Sequence, residues 1–75
     1  MNELPSSAVV AGIRAEYPAG CRGTLVSMGP DPYSRLKPGD EGTVFHVDDA
    51  GTVHVNWDCG STLGMVYGVD VIRKL

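Results

Sequence analysis

The stretch Thr52–Trp57 alternates cleanly, with Val53, Val55 and Trp57 on one face and His54 and Asn56 on the other. A period of two is the mark of a half-buried strand. Turn formers bracket it closely, Asp48-Asp49-Ala50-Gly51 before and Asp58-Cys59-Gly60 after. Glycine in such turns supplies the positive φ that tight connections require. Gly42–Val47 upstream and Ser61–Val66 downstream therefore read as strands folding back on the middle one. Two tight turns around one alternating strand commit the chain to antiparallel sheet.

The remaining segments extend that layout. Thr24–Met28 is strand-like and leads into a long loop, Gly29 to Asp40, with Pro30, Pro32, Pro38 and Gly39. Tyr67-Gly68-Val69-Asp70 reads as a kink, and Val71–Leu75 as a fifth strand. Pro5 to Tyr17 reads as a short helix, with Asn2, Ser6 and Ser7 as candidate N-caps. Val9, Ile13 and Tyr17 make its apolar stripe, and Pro18 stops it before an Ala19-Gly20 turn. The expected architecture is all-β: a small five-stranded SH3-like barrel over residues 19–75, with a short N-terminal α-helix over residues 1–18 packed on it, one domain in total. Closing the sheet removes exposed edges. The 75 residues bury only roughly 60% of their unfolded surface, which leaves a thin core and no deep cleft.

Certain combinations go beyond pattern. Tyr17-Pro18-Ala19-Gly20, Asp31-Pro32-Tyr33, Pro38-Gly39 and Gly42-Thr43-Val44 are followed by Val47-Asp48-Asp49-Ala50-Gly51, Val55-Asn56-Trp57-Asp58, Gly60-Ser61 and Leu63-Gly64. Together these resemble a family of small bacterial and phage proteins known as domain of unknown function 4314. The resemblance implies an SH3-like barrel and residence in phages and mobile elements; it implies no activity. The chain departs from the family pattern at Gly23, where a branched apolar residue is usual, and at Cys59, where the turn usually has Asn.

Nine acidic residues face six basic ones, a net charge of −3. That balance disfavours non-specific binding to nucleic acid or anionic membranes, both of which select a positive face. The two cysteines, Cys21 and Cys59, sit in no metal or redox spacing, so a reduced, cytoplasmic setting is expected. No apolar run approaches the ~20 residues of a membrane-spanning helix, and no signal-peptide core is visible.

Nothing in the chain has the spacing of a catalytic nucleophile, a phosphate-binding glycine loop or a zinc site. No enzyme, metal or cofactor is expected, although His46 and His54 are placed to approach each other across a hairpin. Tyr33, from the long loop, and Tyr67, from the kink, are expected to line one groove suited to a peptide. Asp31, Asp40, Glu41, Asp48, Asp49 and Asp70 all fall in the loops, turn and kink. Asp is an ordinary turn former, yet such a concentration also suits an acidic edge that attracts a basic surface.

The expected function is therefore a non-enzymatic protein-interaction module of phage or mobile-element type. Its most concrete form is an acidic, anti-CRISPR-like inhibitor of a host nucleic-acid enzyme, with the basic surface of a CRISPR nuclease as partner. Direct nucleic-acid binding and peptide-adaptor roles are the alternatives. The first is weakened by scattered arginines and lysines that form no basic stripe.

Overall fold

The computed structural model describes residues 5–29 and 35–75. Helix α1 (Ser7–Glu16) is capped by Ser6, whose side chain accepts from the Val9 amide at 3.2 Å. Four strands follow, β1 (Arg22–Ser27), β2 (Glu41–Val47), β3 (Val53–Trp57) and β4 (Val71–Lys74). They form one antiparallel sheet in the order β3-β2-β1-β4. No helix among the described residues is long and apolar enough to cross a membrane.

The core is Leu25, Leu36, Val44, Val47, Val53, Val55, Trp57 and Met65. The alternating face of β3 supplies three of these residues, as its sequence pattern requires. In β2 a bulge between Val44 and His46 shifts the register. The extra residue lets Val44 and Val47 both point inward at a spacing of three and leaves Phe45 and His46 outside. Leu36 reaches the core from the long loop, whose return is tied down by Gly39 N–H donating to the Leu25 carbonyl at 2.8 Å.

The expected helical stripe is off by one residue. Val10 is buried at 3% exposure while Val9 is 37% exposed, so the docked face is Val10, Ile13 and Tyr17. The spacing i, i+3, i+7 keeps these three residues on one side of a 3.6-residue helix. Arg14 fixes the other flank, donating from Nε to the Val47 carbonyl at 3.1 Å.

Four of the five expected strands are present, in an open sheet. The missing one, Ser61–Val66, runs beside β3 without forming a ladder. Its ends do bond: Trp57 N–H donates to Ser61 O at 2.9 Å, and Val53 and Met65 exchange bonds of 3.0 and 2.7 Å. Between them, the Leu63 amide donates to Ser61 Oγ and the Leu63 carbonyl accepts from the Trp57 indole at 2.9 Å. Side chains thus take both backbone groups of Leu63, and the ladder is interrupted there.

Gly23 and Gly42 sit opposite each other on β1 and β2. A Cβ on Gly42 would lie 2.8 Å from the Asn56 carbonyl oxygen and 2.9 Å from Trp57 Cα, and one on Gly23 would lie 2.8 Å from Ile72 Cδ1. The departure from the family pattern at Gly23 is thus matched by Ile72 filling the space. In the hairpin at residues 58–60 the left-handed residue is Gly60, φ +97°, so Cys59 has no such conformation to support. Cys21 and Cys59 are both free thiols.

Candidate functional site

Between the edge strand β4 and the C-terminal end of α1, the surface opens into a groove of about 330 Å³. Ile13 and Tyr17 line it from the helix side, Val53 and Met65 from the core side, Tyr67 from the segment leading into β4 and Ile72 from β4 itself. The kink at Tyr67-Gly68-Val69-Asp70 shapes its rim. Val69 and Asp70 amides both donate to the Val66 carbonyl, and Gly68 takes φ +79°. That turn leaves Val66, Tyr67, Val69 and Val71 between 46% and 57% exposed. Of these, Val66, Tyr67 and Val71 line the groove, so exposed apolar side chains gather at its mouth.

Asp70 is the charged side chain of the lining. Its carboxylate accepts from the Gly29 amide at 2.7 Å and the Val66 amide at 2.8 Å. The carboxylate therefore ties the end of β1 to the kink. Tyr17 closes the groove over β4, its hydroxyl donating to the Ile72 carbonyl at 3.1 Å. Burial, followed by the neighbouring Glu16 carboxylate, raises the Tyr17 phenol above its ordinary pKa.

Of the residues expected to form a site, Tyr67 and Asp70 both line this groove. Asp31 and Tyr33 lie outside the described residues. The other carboxylates do not gather into one edge. Asp40 and Glu41 stand at the start of β2 while Asp48 and Asp49 follow its end, and seven residues of strand span roughly 23 Å.

Each of these carboxylates also has work within the fold. Asp40 accepts from the Lys37 amide at 3.0 Å and lies 3.4 Å from Lys37 Nζ. Glu41 faces Arg22 at 3.5 Å, and Asp49 pairs with Arg14 at 2.7 Å. Asp48 builds the β2–β3 turn: Oδ1 accepts from the Ala50 and Thr52 amides at 3.0 Å, and Oδ2 meets His54 Nε2 at 2.9 Å. The His54 bond, supported by the Thr52 amide, holds the Asp48 carboxyl below the usual carboxylate range. That turn touches the groove only through Gly51, a lining residue whose Cβ, if added, would lie 3.7 Å from Tyr67 Cβ.

Residues 6–75 match the family described as Domain of unknown function (DUF4314). The chain belongs to this family. The match takes in α1, the whole sheet and every lining residue of the groove, so the groove lies wholly within the family domain. No curated protein and no solved structure matches the chain.

On the opposite, outward face of β2–β3, His46 and His54 are cross-strand partners with ring centroids 5.6 Å apart, and Phe45 lies 6.0 Å from His54. Among the described residues no three His, Cys, Asp or Glu side chains converge as metal ligands.

Sequence reasoning missed most of the groove lining, namely Ile13, Met65, Val66, Val71 and Ile72. A signal was present. Met65-Val66-Tyr67, Val69 and Val71-Ile72 place six large apolar side chains in eight positions. No single strand of alternating burial has room for all of them.

Proposed function

We propose that this chain is a non-enzymatic protein-interaction module that binds its partner through the groove between α1 and residues 65–72. The observation carrying this reading is that Val66, Tyr67 and Val71, all about half exposed, line a mainly apolar groove. Large side chains left in water at the mouth of a cavity gain by being covered, at roughly 25 cal/mol per Å² of apolar surface buried. In architectural terms the module is an SH3-like roll, with residues 61–66 standing in place of the fifth strand.

The partner in this proposal is a protein with a basic surface, and an inhibitor of a host nucleic-acid enzyme is its most specific form. Supporting the basic partner is the surplus of nine acidic residues over six basic ones, which speeds encounter with a positive surface. A phosphate-mimicking edge has weaker support. Asp40, Asp48 and Asp70 are held by backbone amides, and Glu41 and Asp49 by arginines.

Capture from a lysate by the wild-type chain, by Tyr67→Ser and Val71→Ser variants, and by a Phe45→Ser variant on the outward face of β2 tests the reading. The proposal expects one partner to be lost with both groove variants and retained with Phe45→Ser. Retention with the groove variants and loss with Phe45→Ser overturns it.

A further inference from the structure

The groove lining is mainly apolar, and Asp70 is its one charged side chain among the described residues. Asp70 is pinned by two amide donors, from Gly29 and Val66, and pairs with no lysine or arginine among the described residues. The contrast with Asp49, Asp58, Glu41 and Asp40 is sharp, because each of those has a cationic side chain within 4 Å. Two tyrosines, Tyr17 and Tyr67, line the same space. Aromatic faces attract cations through their negative quadrupole, and the attraction strengthens as the cation loses water. A pre-positioned carboxylate, tyrosine rings and aliphatic walls together suit a long alkyl chain ending in a positive charge.

We infer that the groove receives a lysine or arginine side chain from a basic-apolar segment of the partner. The alkyl stem lies against Val71 and Ile72, and the cationic head is directed to Asp70. This rests on the groove being the contact site and adds the chemical class of its occupant. Volume agrees with it: about 330 Å³ is at the small end of the ~300–1,000 Å³ range of ligand pockets, enough for a few side chains and not for a folded element. The net charge of −3 acts in the same direction at long range.

The test uses the full chain, ¹⁵N-labelled, and three capped peptides identical except at a central position flanked by leucines: lysine, norleucine or glutamate. The lysine peptide is expected to shift the amides of Tyr67, Asp70 and Ile72. It should bind at least about tenfold more tightly than the norleucine peptide, a gap of about 1.4 kcal/mol, and the gap should shrink with added salt. In an Asp70→Asn variant that keeps the wild-type spectrum, the gap should close to within about twofold. Norleucine binding as tightly as lysine overturns the cationic occupant while leaving an apolar groove as the contact site. So does the absence of shifts with any peptide, and the capture comparison with Tyr67→Ser and Val71→Ser then judges the contact site on its own. Should Asp70→Asn fail to fold, the lysine and norleucine peptides on the wild-type chain decide the matter.

Discussion

The Tyr17 hydroxyl donates to the Ile72 carbonyl at 3.1 Å, across 55 residues of chain. Ile72 pairs with Leu25, and Leu75 N–H donates to Arg22 O in the same register. In an antiparallel pair the bonding residues alternate, so the backbone groups of Ile72 point away from β1 toward the free edge. Exposed edges invite unwanted pairing, and Tyr17 covers this one while forming a wall of the groove. Tyr17→Phe should cost about 0.5–1.5 kcal/mol by urea unfolding and speed hydrogen exchange within β4. Unchanged exchange there would show that the phenol does not protect the edge.

Gly42 and Gly23 should respond differently to a methyl group. Gly42→Ala drives its Cβ against the Asn56 carbonyl and Trp57 Cα, which are backbone atoms that cannot move alone. Overpacking of this kind costs about 1–3 kcal/mol or more. Gly23→Ala meets the terminal carbon of Ile72, which can rotate away, so the loss should be smaller. Denaturant midpoints of the two variants check the order, and an equal or reversed order would contradict the packing described.

Trp57→Phe should loosen residues 61–66 beyond its effect on the core. The indole N–H donates to the Leu63 carbonyl, and leaving that acceptor without its donor costs about 1–3 kcal/mol. Exchange of the Met65 amide, bonded to the Val53 carbonyl at 2.7 Å, reports on this segment. It should rise more than that of Val44, on the neighbouring strand β2.

Acid should weaken the β2–β3 turn through Asp48. The carboxyl is lowered in the folded chain, chiefly by His54 and then by the Thr52 amide. A lowered folded pKa means that the unfolded chain binds the proton first. The contribution is therefore present above the ordinary aspartate pKa and lost as pH falls through the folded value. The difference in stability between wild type and Asp48→Ala should be full near neutral pH and narrow below about pH 4. A difference that stays constant down to pH 2 would assign the effect to something other than the carboxylate.

How much of this was legible in the sequence depended on whether the signal was local. The alternation of Val53, Val55 and Trp57 placed β3 and its inward face, because period two is a property of neighbouring residues. Thr24–Met28 and Gly42–Val47 gave β1 and β2 to within two residues. The helix was found but its face was misphased, since a ten-residue helix with valines at both 9 and 10 fits two stripes. Whether Val9 or Val10 is buried is decided by the sheet beneath. The lost fifth strand turned on the Trp57 indole reaching Leu63, a contact that no spacing reveals. The burial of Leu36 is likewise set by where the loop returns. Tyr67 and Asp70, singled out together, lie on one groove, but the acidic residues grouped with them are divided between the two ends of β2. Clustering along a chain is not clustering in space.

The central claim is that the partner meets the groove, and a photo-crosslinking amino acid placed in the full chain tests it most directly. Position 67, on the rim, is compared with position 45, on the opposite face at 47% exposure. The account predicts a discrete adduct with one protein from position 67 and none with that protein from position 45. Adducts from position 45 alone, or equally from both, would contradict it.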